Sequence, residues 1–283
     1  MTDPNKTIAF QGALGANSDI ACRTAYPDMT SLPRRTFADA FSAVEKGKAA
    51  LAMIPIDNTV AGRVADIHHL LPRSKLFIIG EHFERINHQL VVIPGTKMTD
   101  IKEVHSHVHA LNQCRTLLED MGVEAVVHVD TAAAAADVAK WGDKSKAAIS
   151  SRLAAEVYGL EILRTDIEDA EHNTTRFVVL SRDSIRPHAG TPNVMTSFVF
   201  RVRNIPAALY KAMGGFATNG VNMTKLESYV GEGFVVAEFY AEVEGHPDDP
   251  SVKLALEELS FFSKEVNIVG VFPMHDYRTA SRE

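Results

Sequence analysis

From Thr7 to Tyr158 short apolar runs alternate with stretches of helical period, and this constrains the fold more than any other feature of the 283-residue sequence. "TIAFQG" opens the series and is followed by a helical stretch from about Asp19 to Tyr26. Phe37, Ala40, Phe41 and Val44 then stand at i, i+3, i+4 and i+7, the spacing of one helix face, and Gly47 is placed to end that helix. "KAALAMIPI" reads as a buried strand. "HQLVVI", a helix from about Ala110 to Met121, "VEAVVHV", a helix begun at Thr131, "KAAIS" and a helix from about Ser151 to Tyr158 repeat the pattern. Strands that alternate with helices build βα units around mainly parallel sheets, and such sheets bind ligands at the carboxyl ends of their strands. The fold class is α/β.

After Leu180 the texture changes. "SRDSIRPHAGTPN" is polar, holds two prolines and a glycine, and has no period, so it reads as a linker, drawn at 184–193. Beyond it lie the strand "VMTSFVFRV", a helix over Pro206 to Thr218, the strands "NMTKLESYV" and "FVVAEFYAEV" joined by the hairpin signal "GEG", a helix from about Pro250 to Ser263 and the strand "VNIVGVF". That order is βαββαβ, a ferredoxin-like unit. At roughly 100–200 residues per domain, the length suits two domains.

A net charge of −7, with lysine and arginine scattered, argues against nucleic acid or an anionic membrane as partner. An anionic ligand must find its donors locally. Only Cys22 and Cys114 are present, "MTDPNKTIAF" lacks the pattern of a signal peptide, and no apolar run approaches a bilayer span. The cytoplasm is the expected compartment.

Four loops carry more small and polar groups than a turn requires. In "FQGALGANSD", Gly12 and Gly15 let backbone N–H groups approach a ligand, and Asn17 or Ser18 is placed to cap a helix; a plain glycine turn is the alternative. In "IPIDNTVAGR", Asp57, Asn58 and Thr59 end a strand and suit either helix capping or substrate binding. In "EVHSHVHALNQC", His105, His107 and His109 alternate, but no further ligand accompanies them, so Ser106 and His107 at a strand-to-helix turn are read as oxygen-binding groups and no metal is expected. In "EHNTTRFVVL", Asn173, Thr175 and Arg176 stand at the mouth of an apolar strand, where a guanidinium fork can meet a carboxylate and a hydroxyl can donate without adding charge.

Together these loops resemble prephenate dehydratase. In "YGLEILRTDIEDAEHNTTRFVVL", Tyr158, Leu160, Leu163, Asp169 and the Thr175-Arg176-Phe177 triplet fall at that family's signature spacing, and the other loops resemble its remaining blocks in the same order. The C-terminal unit resembles the ACT regulatory domain. Asp57-Asn58-Thr59 stands where the family usually has Glu-Asn-Ser or Glu-Asn-Thr, and Glu227-Ser228-Tyr229-Val230 where the ACT region has Glu-Ser-Arg-Pro.

The resemblance implies a two-lobed, periplasmic-binding-protein-like (type II) catalytic domain over 1–183, with lobes of about 1–80 plus 171–183 and 81–170, and an ACT domain over 194–283. It implies decarboxylating dehydration of prephenate to phenylpyruvate, without cofactor. Thr175, Arg176 and Phe177 would be catalytic, and Asn58, Thr59, Ser106, His107, Gln113 and Asn173 would bind substrate. Thr175 would donate to the departing hydroxyl, with His107 as the rival acid. L-Phenylalanine would act as effector near Ala208, Leu209, Asn222, Glu227 and Ser228, in a homodimer or homotetramer built through the ACT domains. Arogenate dehydratase uses much the same site, and a noncatalytic small-carboxylate sensor would share the fold.

Overall fold

The structure, a computed structural model, describes residues 3–170, 172–203, 205–230 and 237–280. The Gly231-Glu232-Gly233 hairpin signal and the start of the strand after it lie outside the described residues. In chain order the elements are β1 (Thr7–Gln11), α1 (Asn17–Ala25), β2 (Thr30–Arg34), α2 (Phe37–Glu45), β3 (Leu51–Asn58), β4 (Gly62–Arg63), α3 (Ala65–Leu70), β5 (Phe77–Arg85), β6 (Gln89–Val92), β7 (Glu103–His107), α4 (Val108–Gln113), α5 (Arg115–Met121) and β8 (Glu124–His128). They continue with α6 (Thr131–Trp141), β9 (Lys146–Ser150), α7 (Arg152–Tyr158), β10 (Glu161–Arg164), β11 (Thr174–Ser181), β12 (Val194–Val202), α8 (Ala208–Thr218), β13 (Met223–Val230), β14 (Ala237–Glu244), α9 (Pro250–Phe262), β15 (Ser263–Pro273) and α10 (Asp276–Ala280). The chain divides into one unit of Met1–Val64 with His82–Phe177 and another of Ala65–Glu81 with Val178–Glu283.

The first unit holds two sheets. In one, the strands run β11-β3-β1-β2, β1 lies parallel to both β2 and β3, and β4 folds back on the end of β3. The inward face of α2, Ala40, Phe41 and Val44, lies against β1 and β3, whose Ile8, Phe10, Met53 and Ile54 are all buried. The other sheet runs β10-β6-β9-β7-β8, and Leu90, Val92, Val104, Leu111, Leu118 and Ile149 fill its core. Two open α/β sheets, each with its own core, make the two-lobed periplasmic-binding-protein-like arrangement.

Local chemistry moved several expected boundaries. The helix expected over Ala110 to Met121 is two helices, because Cys114 leaves helical geometry at φ −127° and Asp169 accepts from the backbone N–H of Arg115 and Thr116, capping a new start. α1 begins at Asn17 after a backbone turn at Ala16, with neither Asn17 nor Ser18 as cap; the Asp19 carboxylate takes the Gly15 N–H at 2.8 Å. β2, an edge strand that holds Pro33, shows no apolar alternation and was not anticipated. Neither was β5, whose second half is polar.

In the second unit β12, β14, β13 and β15 form an antiparallel sheet in the order β13-β14-β12-β15, which with α8 and α9 is the ferredoxin-like βαββαβ unit. Phe198, Phe200, Phe216, Phe239, Val252 and Leu259 pack between sheet and helices, each buried large side chain contributing about 1.5–3 kcal/mol. α8 starts at Ala208, not Pro206, because Ala207 adopts a left-handed φ of 58°. Ile78 of β5 pairs with Gly270 of β15, where a Cβ would stand 2.5 Å from that of Ile78, so this approach demands glycine. Among the described residues no helix is long and apolar enough to cross a membrane.

Candidate active site

The site grows from the end of β3. Backbone N–H groups of Val60 and Ala61 donate to Asn58 Oδ1 at 2.9 and 2.7 Å. Backbone N–H can only donate, so this turn fixes which end of the Asn58 carboxamide is oxygen. Its NH2 must therefore face the other way, and it donates to Asn173 Oδ1 at 2.8 Å and to Thr175 Oγ1 at 2.9 Å. Having given its oxygen to Asn58, Asn173 donates from Nδ2 to Gln113 Oε1 at 2.8 Å. His88 Nε2 meets the same Gln113 oxygen at 2.8 Å.

Gln113 reaches this chain from the other lobe because the break at Cys114 makes it the last residue of α4, and the Asp169 N–H holds its backbone carbonyl at 2.6 Å. Asn173 and His88 are buried, while Asn58, Gln113 and Thr175 are half-buried. Burial lowers the His88 pKa more than its bond to Gln113 raises it. The network is uncharged at neutral pH. It ends in two donors with no acceptor among the described residues: the Thr175 O–H and the Gln113 NH2.

Strand period separates the triplet. Thr175 lies on the face of β11 that meets Asn58, and Arg176 on the opposite one, since side chains alternate. Arg176 is 6% exposed and stands 3.6 Å from Asp57 Oδ2, so its guanidinium braces the end of β3 and is not joined to Thr175. Phe177 is core. Thr59 stitches β3 to the entry of β11: its hydroxyl donates to the His172 carbonyl and accepts the Thr174 N–H, while its own N–H donates to the Thr174 carbonyl.

Ser106 and His107 do not join the amide chain. The Ser106 hydroxyl is fully buried and donates to the Ile149 carbonyl at 2.6 Å, tying β7 to the neighbouring strand. His107 caps α4, its Nδ1 accepting from the His109 N–H at 3.3 Å, and burial with His109 beside it depresses its pKa. A neutral imidazole is a weak acid, which counts against His107 as proton donor. His105 instead meets His128 at 3.1 Å and Glu103 at 3.1 Å, and Lys146 pairs with Glu103. Among the described residues no group of three or more His, Cys, Asp or Glu side chains is placed to hold a metal ion.

The glycine loop joins the lobes. Ser151 donates to the Gly15 carbonyl, Tyr158 to that of Leu14 at 3.0 Å, and a Cβ on Gly15, at φ 83°, would lie 2.5 Å from Ala154 Cα. In the second unit, cross-strand register carries Arg201 opposite Glu238 and Glu238 opposite Tyr229, so Glu227 and Ser228 lie at the sheet end from which the chain enters α8 at Ala208 and Leu209. Asn222 lies beyond the far end of that helix, about 16 Å away at 1.5 Å per residue, and bonds Glu244 at 2.8 Å. One chain therefore does not gather all five.

The sequence reading missed His88, the buried end of the amide chain. The available signal was a lone histidine at the mouth of the apolar run "HQLVVI", placed much as Thr175 is before "FVVL".

The prephenate dehydratase family profile matches residues 8–185. The bifunctional N-acyl-homoserine lactone acylase/prephenate dehydratase of Komagataeibacter europaeus is 52% identical over 96% of this chain and 98% of its own length. The arogenate dehydratase/prephenate dehydratase 1 of Arabidopsis thaliana is 36% identical over 96% of this chain and 73% of its own. Among solved structures, prephenate dehydratase from Arthrobacter aurescens, in complex with L-Phe, superposes with a TM-score of 0.88 at 30% identity, covering 95% of this chain and 90% of that one. With a profile spanning more than half its length and relatives aligned over nearly all of it, the chain belongs to the prephenate dehydratase family.

Proposed function

We propose that the protein converts prephenate to phenylpyruvate. The carrying observation is that Asn58 donates to Thr175 Oγ1, so the threonine oxygen acts as acceptor within the protein and its O–H is left for the substrate. Prephenate is a dianion whose ring becomes aromatic when it loses its carboxylate as CO2 and its hydroxyl together. The bonding pair of the departing carboxylate enters the ring, the C–O pair leaves with oxygen, and one proton completes water. The site must stabilise charge that grows on the leaving oxygen, and a preorganised donor does this without a strong acid. Thr175 O–H supplies it. The Gln113 NH2 donates to a substrate carboxylate, and Arg176 acts as a positioning residue through Asp57.

Regulation belongs to the same proposal: L-phenylalanine binds the ACT-like unit across a homodimer or homotetramer, where Ala208, Leu209, Glu227 and Ser228 of one chain meet Asn222 of another. The complex of the Arthrobacter relative with L-Phe supports this.

A second reading comes from the Komagataeibacter relative, whose name adds N-acyl-homoserine lactone acylase activity. An acylase needs an activated nucleophile, and among the described residues no base accepts the Thr175 proton. The geometry therefore favours dehydration. Purified protein incubated with prephenate, arogenate or an N-acyl-homoserine lactone separates the readings. Phenylpyruvate from prephenate, slowed by phenylalanine, is expected; turnover of arogenate or the lactone alone would overturn the assignment.

A further inference from the structure

We infer that His88 is a positioning residue for this reaction: with its hydrogen on Nε2, it holds the Gln113 carboxamide so that the NH2 stays directed to substrate. The inference rests on the dehydratase reading for its function, though not for its geometry. The direction of every bond in the chain follows from the Asn58 end. Val60 and Ala61 N–H groups claim Asn58 Oδ1, so Asn58 donates to Asn173 and Asn173 donates to Gln113 Oε1. That oxygen is also the atom His88 Nε2 meets at 2.8 Å. Two donors must therefore converge on one carbonyl oxygen, and the imidazole must carry its hydrogen on Nε2. A rotated Gln113 would turn its NH2 toward both donors and lose both bonds.

His88 is itself held tightly. Its N–H donates to Glu168 Oε2 at 2.8 Å, its carbonyl accepts the Ile167 N–H at 3.0 Å, and two residues earlier the Ile86 N–H holds the Asn173 carbonyl at 2.8 Å. The residue is 3% exposed. A short segment thus sets the backbone of Asn173 and the side chain of Gln113 together. It does so with a group that adds no charge beside a dianionic substrate, and protonation would leave the Nε2–H donor in place. The residue acts through Gln113 and not as an acid.

The test compares His88→Leu, His88→Gln and Gln113→Leu in the full-length protein, with melting temperatures recorded. Gln113 is expected to hold a carboxylate in both ground and transition states, so His88→Leu should lower kcat/KM about ten- to a hundredfold, mainly through KM. His88→Gln, which keeps a donor in place, should recover to within about threefold of wild type, and His88→Leu added to Gln113→Leu should cost less than about twofold more. The 15N spectrum of the wild-type protein should show His88 protonated at Nε2 at pH 7. An Nδ1–H tautomer, a failure of His88→Gln to rescue, or losses that multiply in the double variant would overturn the inference. Wild-type protein that leaves prephenate unchanged would instead overturn the dehydratase reading, and the tautomer result would still stand or fall separately.

Discussion

A buried polar network in each unit can be compared, and the two are built on opposite principles. In the second, Arg278 grips Glu81 with two bonds of 2.7 and 2.9 Å and reaches Glu242 at 3.2 Å, while the Tyr240 hydroxyl donates to Glu242 at 2.5 Å and the His275 N–H to Glu81 at 3.1 Å. Both carboxylates are fully buried. In the first, Asn58, Asn173, Gln113 and His88 pass hydrogen bonds along a chain with no formal charge. The charged network directs its bonds inward and ties α10 to β5 and β14, so it serves stability. The neutral one keeps two donors uncommitted and suits a dianion, because fixed dipoles stabilise developing charge without first having to release a counter-ion.

The contrast can be broken most forcefully at Arg278. Arg278→Met takes the guanidinium away from the buried Glu81 and Glu242 carboxylates and should cost about 3–5 kcal/mol in urea unfolding, while the kcat of the folded fraction stays near wild type. Asn58→Leu should do the reverse. It removes the donor that orients Thr175, and kcat for prephenate should fall about 10²–10³-fold with a smaller loss of stability, measured by steady-state kinetics beside thermal melts.

Acid sharpens the comparison further. His88 is buried and its pKa in the folded chain lies below the ordinary value of about 6.5, so the unfolded chain binds the proton more readily. Stability from this group is complete above about pH 6.5 and is lost as pH falls towards the folded value, with a slope of up to about 1.4 kcal/mol per pH unit. The gap between the urea midpoints of wild type and His88→Gln should therefore be constant above about pH 6.5 and shrink as pH falls below it. The smallest effect is expected at Thr59→Val, which cuts an exposed stitch and should cost about 0.5–1.5 kcal/mol in melting experiments without changing kcat.

The same contrast explains what the sequence made legible. Asn58 was readable as a polar residue at the carboxyl end of an apolar strand, where the βα rule puts ligands, and Thr175 as a polar residue leading into one. Strand period alone separates Thr175 from Arg176, yet the partner of a guanidinium is chosen by tertiary structure, and Asp57 was visible only as part of a turn. Ser106 lay in a readable turn, but its burial under Ile149 depends on which strands are neighbours, and the pairing of β7 with β9 is long-range. β2 and β5 escaped because edge position and a half-polar face erase the alternation that marks a strand. His88 escaped for a related reason: a lone histidine declares nothing until the chain of amides it terminates is assembled. The whole Glu81–Glu242–Arg278 network likewise joins residues distant in sequence, and charges of that kind usually lie in water.

The central claim is that an uncharged hydroxyl, oriented by Asn58, does the work at the leaving oxygen. Thr175→Val keeps the shape of the side chain and removes that donor together with the oxygen that accepts from Asn58, while Thr175→Ser keeps both, so turnover of prephenate by the two variants is the most direct test. The account predicts a fall in kcat of about 10²–10³-fold for valine and substantial activity for serine, with both proteins melting near wild type. A folded Thr175→Val enzyme that turns over prephenate at the wild-type rate would contradict it.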